Sequence, residues 1–191
     1  MHKGRLEAFS DGVMAVIITI MVLELKMPHG TDLAALRPQI PVFLSYVLSF
    51  IYVAIYWNNH HHMLQACRKV NGHVLWANMH LLFWMSLVPV VTEWMGQNHT
   101  ASIPVALYGA VLLLTGIAYT ILSRALIALH GTESPLAVAL GRNDKGNLSL
   151  LLYAIAVGLS FIHPSIALAI YAAVALLWFA PDPRIEKRIS D

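Results

Sequence analysis

Charge is scarce in this sequence. Of 191 residues, 12% are Asp, Glu, Lys or Arg, about half the ~25% usual in soluble domains. No polar stretch is long enough to hold a core of its own, which excludes a separate soluble domain. Cysteine is nearly absent: Cys67 stands alone, so no internal disulfide can form. The net charge is only +2, with no basic run or aromatic ladder, which excludes a nucleic-acid partner. Catalytic signatures are missing as well. There is no G-x-S-x-G, no Walker A loop and no dinucleotide fingerprint. Ser10 and Asp11 are adjacent, and adjacent helical residues do not face each other. The sequence reads as no enzyme. It also lacks an internal repeat of the kind on which many secondary transporters are built.

Apolar residues are what remain. They make up 58% of the chain, with a mean hydropathy of +0.66. A helix needs about 20 such residues to cross the hydrocarbon core of a bilayer. Six stretches qualify as candidates, giving an all-α membrane protein with one six-helix domain over residues 1–191. They run over about 6–25, 41–63, 74–94, 103–128, 148–162 and 164–179. The last two are short and separated by His163. They read as a tight helical hairpin or as one broken, re-entrant segment. The first stretch resembles a secretory leader, but Asp11 interrupts it and Glu24 and Lys26 occupy the place of a small-residue cleavage site, so it is expected to be retained.

Lys and Arg collect on cytoplasmic loops. With the N-terminus inside, Lys3, Arg5, Arg68, Lys69, Arg124, Arg142, Lys145, Arg184, Lys187 and Arg188 fall inside, and Lys26 and Arg37 outside. Ten against two accounts for all 12 basic residues. Five or seven crossings would break the alternation, so both termini are expected in the cytoplasm, with the lipid bilayer as partner.

The first segment, "RLEAFSDGVMAVIITIMVLEL", carries charge at one end and little but aliphatics at the other. An ionisable residue inside a membrane span is expensive and marks a functional candidate. Arg5 lies six residues before Asp11, off the three-to-four spacing of helical neighbours. Glu7, at the right spacing, repels it. Asp11 therefore finds a donor on another helix, with Trp57, Asn58, Asn59 and the histidines after them as candidates, or else caps the helix start near the interface. Beyond it, Gly12, Val16, Thr19, Ile20 and Leu23 share one stripe, and Asp11, Ala15, Ile18 and Val22 another. Gly12 and Ala15 allow a second helix to approach closely.

His60, His61 and His62 are consecutive, and consecutive helical residues point about 100° apart, so an intact helix cannot turn all three onto one ion. No H-E-x-x-H or C-x-x-C accompanies them. They are read as hydrogen-bonding groups at the depth of the first helix's start. No resident metal or cofactor is expected. A second reading makes Asp11 and the histidines the relay of a proton-coupled secondary transporter. The short chain and the missing repeats count against it.

Arg5, Phe9, Ser10 and Asp11 spell R-x-x-x-F-S-D at the start of the first helix. This resembles the signature of the transmembrane-protein-175 potassium channels. The following "GVMAVIITIMVLELKMP", the "YWNNHHHM" at the end of the second helix, the length and the six-helix layout are similar to the bacterial members. The resemblance implies a homotetramer in a bacterial inner membrane, with the first helix of each subunit lining a central pore. It implies a filter of side chains, with layers at Val16, Thr19 and Leu23 and with Ile20 near the same face, through which K⁺ passes as permeant ion. It also implies that Arg5, Phe9, Ser10 and Asp11, with Trp57, His60 and His61 as candidate partners, brace the pore helix. One departure stands out. Val16 is smaller than the isoleucine or leucine associated with the family's first layer, so a wider constriction is expected. No TVGYG-like loop exists to build a carbonyl filter. Glu24 reads either as an anionic ring at the outer mouth or as a partner of Lys26 or Arg37.

Overall fold

In the computed structural model, residues 3–134, 137–138 and 143–179 are described. Those residues are helical apart from their connections. The helices are α1 (Lys3–Leu23), α2 (Ile40–Gln65), α3 (Gly72–Ser86), α4 (Val88–Gln97), α5 (Ser102–His130), α6 (Asp144–Leu159) and α7 (Pro164–Phe179), with a 3₁₀ helix at Leu33–Gln39 before α2.

Local chemistry sets most of the boundaries. Asn71 caps α3 by accepting from the Val74 N–H at 3.0 Å, and Asn143 caps α6 by accepting from the Gly146 N–H at 3.2 Å, which satisfies donors that no helical carbonyl can reach. Proline opens α2 at Pro41 and α7 at Pro164, where its missing N–H costs nothing. Gly131 ends α5 at φ +91°, a conformation that a side chain would strain.

The stretch expected as one helix over about 74–94 is two. The chain breaks at Leu87, between α3 and α4. Pro89 lies just beyond the break. It has no N–H to donate, and its ring clashes with the carbonyl four residues back, so the helical hydrogen-bond ladder cannot run through it. Taken with this break, the seven segments form six helical units.

Four of those units are long and apolar enough to cross a bilayer: Lys3–Leu23, Leu33–Gln65, Gly72–Gln97 and Ser102–His130. The final pair, α6 and α7, has 16 residues in each helix. At 1.5 Å per residue that is about 24 Å, short of the ~30 Å hydrocarbon core. They form a hairpin joined by the turn at Ser160–His163, and the Trp178 indole donates across it to Ser149 at 2.8 Å.

The bundle is built around α5, which packs against α3, α4, α6 and α7. Its Gly109 lets α7 in closely, since a Cβ there would collide with the Tyr171 hydroxyl. Polar bonds lock the buried interior. The Ser49 hydroxyl lies 2.7 Å from that of Thr92, whose own proton goes to the Val88 carbonyl, and 3.0 Å from that of Tyr108, and the Tyr52 hydroxyl donates to the Tyr171 carbonyl at 2.6 Å. These tie α2, α4, α5 and α7 together. The first helix lies on the far flank of the bundle from the hairpin, packed chiefly on α2, α3 and α4. One side of it is left uncovered.

Candidate functional site: the first helix and its bracing

The periodicity of α1 divides it into two faces. Leu6, Ser10, Met14, Ile17 and Met21 are buried against the bundle. Arg5, Phe9, Gly12, Val16, Thr19, Ile20 and Leu23 are exposed on a continuous opposite stripe. Val16 is 54% exposed, Ile20 42% and Leu23 79%, so this chain alone covers none of the side chains expected to form layers. The second sequence stripe is a flank: Asp11 and Ile18 are half-buried, Ala15 and Val22 exposed.

The buried face is pinned near its start. The Ser10 hydroxyl donates to the Leu6 carbonyl at 2.8 Å, so its oxygen is free to accept, and the Asn78 amide donates to it at 3.0 Å. With the amide held that way, Asn78 Oδ1 is an acceptor, and His60 Nε2–H donates to it at 2.8 Å. The order His60, Asn78, Ser10, Leu6 therefore fixes the Nε2–H tautomer of His60. Ser10, Asn78 and His60 are almost wholly buried, where each unmade bond would be costly.

Asp11 has its own partner. The Trp57 indole N–H donates to Asp11 Oδ1 at 2.9 Å, and His61 stacks on that indole at 5.6 Å. Of the donors considered for Asp11, Trp57 is the one in place. Asp11 is no cap, because α1 begins at Lys3, two turns earlier. The three histidines diverge as helical geometry requires. His60 turns inward to Asn78, and His61 meets Trp57 and the Gln65 amide at 2.8 Å. His62 Nδ1 is buried with no hydrogen-bond partner among the described residues.

Arg5 and Phe9 of the motif are not part of this inward network. Both stand on the exposed stripe, and no hydrogen bond or ion pair joins Arg5 to another described residue. Glu24 is bonded to neither expected partner. Lys26 instead pairs with Glu93 at 3.6 Å, tying the exit of α1 to α4. Of the twelve basic residues, Arg142, Arg184, Lys187 and Arg188 lie outside the described residues.

Two groups escaped the sequence reading. Asn78 is one; its signal was a lone amide within the apolar run "HVLWANMHLLFW", and polar side chains inside membrane helices join helices together. Lys3 is the other. Its ammonium donates to the carbonyls of Leu64 at 3.1 Å and Gln65 at 3.2 Å, at the last turn of α2. Just beyond, burial pushes the Cys67 thiol up to about 11, which keeps it protonated and unreactive.

Long apolar helices define a multi-pass integral membrane protein, whose first helix carries a polar brace on its buried side and an uncovered stripe on the other. Comparison with known proteins gives it a family. The profile described as endosomal/lysosomal potassium channel TMEM175 matches residues 5–89. A potassium channel of Chryseobacterium sp. (strain P1-3) is 54% identical over 191 residues, the full length of both chains. The human endosomal/lysosomal proton channel TMEM175 is 36% identical over 81 residues, 36% of this chain and 16% of that one. The crystal structure of a lysosomal potassium-selective channel TMEM175 homolog from Chamaesiphon minutus superposes with a TM-score of 0.77 at 26% identity, covering 93% of this chain and 96% of that one. This chain belongs to the TMEM175 potassium channel family, and it is an ion channel, not an enzyme.

Proposed function

We propose that four copies of this chain surround a K⁺-selective, leak-like pathway in a bacterial inner membrane, lined by the exposed stripe of α1, with the chain forming one domain of six crossings and both termini in the cytoplasm. The observation that carries this reading is the stripe itself. Its apolar layers at Val16, Ile20 and Leu23 are uncovered in the single chain, yet the same stripe carries Arg5 and Thr19. Lipid would disfavour a guanidinium there. A water-containing pore or a neighbouring copy would accept it.

The chemistry follows from the side chains. Val16, Ile20 and Leu23 offer an ion no ligands, so the ion keeps most of its water, and constrictions of this kind gate by dewetting. Potassium gives up hydration more readily than sodium, so a ring just wide enough favours it. The Thr19 hydroxyl proton is already given to the Val16 carbonyl at 2.8 Å. What Thr19 presents outward is therefore oxygen lone pairs, and four of them partly replace lost water. The test is flux in liposomes of purified protein under opposed K⁺ and Na⁺ gradients. Potassium preferred over sodium is the expected result. Equal passage of both, or none, refutes the proposal.

Gly12 provides a separate check on assembly. A Cβ at Gly12 meets nothing within 4 Å in its own chain. Gly12→Leu should even favour the isolated helix, by about 0.8 kcal/mol. If α1 packs beside its copies, the same change should cut potassium flux about tenfold or more and shift the protein to smaller species on size-exclusion chromatography, with helical content unchanged. Unaltered flux and size would place Gly12 against lipid.

A further inference from the structure

The bonds that position α1 are unevenly placed along it. Ser10 and Asp11 are tied to α3 and α2. From Gly12 to Leu23 no side-chain hydrogen bond or ion pair joins α1 to another described helix, and the only such bond in that stretch is Thr19 to its own backbone. The filter half of the helix is held by the packing of Met14, Ile17 and Met21, which resists separation but gives little directional grip. Past the helix, the exit is tied among the described residues only by the exposed Lys26–Glu93 pair at 3.6 Å, a contact of little strength. The orientation of α1 is therefore set chiefly from the starting end, and the outermost described fixed point there is Lys3.

Lys3 is suited to that role. It extends the buried stripe by one turn, in register with Leu6, Ser10, Met14, Ile17 and Met21. Its ammonium reaches two carbonyls of the last turn of α2 and lies 3.9 Å from Glu7. Neither carbonyl has a donor four residues on, as at any helix end. The Leu64 carbonyl also accepts the Cys67 N–H at 3.0 Å, and both form the negative end of the α2 dipole, which favours a cation. The bonds are charge-assisted and partly shielded from water. Arg5, two residues on, projects from the opposite, exposed stripe. Whatever holds Lys3 against α2 also fixes where Arg5 stands on the other side.

We propose that Lys3 is a positioning residue for the conducting helix: by clamping the start of α1 onto the C-terminus of α2, it sets the position of the Arg5 end of the pathway and the rate of conduction, without touching the permeant ion. The proposal rests on α1 lining the pore. Losing the clamp frays the first turn of α1 and lets Arg5 wander across the mouth, while the layers a further three turns along keep their packing. Conduction then changes and ion preference does not.

The experiment compares wild type, Lys3→Met and Lys3→Arg in reconstituted full-length protein. Methionine keeps an unbranched apolar side chain and removes the charge. Hydrogen exchange of the Glu7–Ser10 amides reads the clamp directly. It should quicken about threefold to tenfold in Lys3→Met, the range that the loss of an ordinary, partly solvated hydrogen bond allows, and return towards wild type in Lys3→Arg. Single-channel recording should show conductance or open probability altered at least about threefold in Lys3→Met, an unchanged K⁺/Na⁺ ratio, and rescue by arginine. Unchanged exchange, an altered ion ratio, or a Lys3→Arg protein as defective as Lys3→Met overturns the proposal. If wild type itself passes no ions, the pore reading of α1 falls, and conduction control by Lys3 falls with it. The exchange data still decide separately whether the clamp exists.

Discussion

Replacing Asn78 with alanine is expected to lower the stability of the folded chain by about 2 to 3 kcal/mol, because it leaves the buried His60 N–H without its acceptor and strips the Ser10 oxygen of its interhelical donor, although Ser10 keeps its own bond to the Leu6 carbonyl. Asn78 is the middle link between His60 and Ser10. Alanine removes the acceptor that holds the His60 N–H and the donor that reaches the Ser10 oxygen, and it opens a small void. Interhelical hydrogen bonds in membrane proteins average only about 0.6 kcal/mol in net terms, since a chain unfolded within the membrane also finds partners. The larger figure rests on the native state keeping the orphaned groups buried. Denaturant titration in detergent micelles measures it. A loss below about 0.6 kcal/mol would mean that the site relaxes or takes in water, and that the network adds little beyond its net value. The triple variant Ser10→Ala, His60→Phe, Asn78→Leu should recover part of the loss, because no buried donor or acceptor is then left unpaired. Its flux should not recover in step, because α1 would have lost a directional tie as well as stability.

That network shows what a sequence can and cannot disclose. Trp57 was among the donors considered for Asp11 because its place near the end of the second helix matched the depth of the motif in the first. Choosing it over Asn58, Asn59 or the histidines required the rotation of α2 about its axis. With apolar residues on nearly every side of such a helix, hydropathy does not reveal that rotation. Asn78 was missed for a related reason. It sits mid-helix, far from any motif, and its meaning depends on which face of α3 turns towards Ser10. The alignment of Gly12, Val16, Thr19, Ile20 and Leu23 on one stripe is readable because it depends only on 3.6 residues per turn, but its continuation to Arg5 and Phe9 is not, since the motif groups those two with Ser10 and Asp11. The break before Pro89 was also present in the sequence. A run of apolar residues hid it, since hydropathy alone does not register a missing N–H. Lys3 looked like one more basic residue on the positive side. Only the arrival of the α2 C-terminus beside it turns that charge into a clamp. Glu24 reads from the sequence either as an anionic ring or as a partner of Lys26 or Arg37 near it in the chain; the pairing fails because folding brings Glu93 to Lys26 instead.

Thr19→Ala is expected to reduce the preference for potassium over sodium about fivefold, while leaving assembly and helical content unchanged. Thr19 is exposed and bonded only to its own helix, so nothing in the fold depends on its hydroxyl. Alanine also has the better helix propensity, which removes misfolding as an explanation for a change in flux. In the proposed pore the substitution deletes four oxygens from the layer between Val16 and Leu23. A loss of about 1 kcal/mol in the difference between the two ions corresponds to that factor of five. Val16→Leu separates the two contributions to selectivity. A bulkier first layer narrows the constriction without adding a ligand, so it should lower conductance and leave the hydroxyl layer intact. If ring width governs the preference, Val16→Leu should raise the K⁺/Na⁺ ratio and Thr19→Ala should have little effect. If the hydroxyl layer governs it, the pattern reverses. Bi-ionic reversal potentials of the two variants, measured in the same bilayers, decide between them. A ratio unchanged in both would place the selective layer elsewhere on α1.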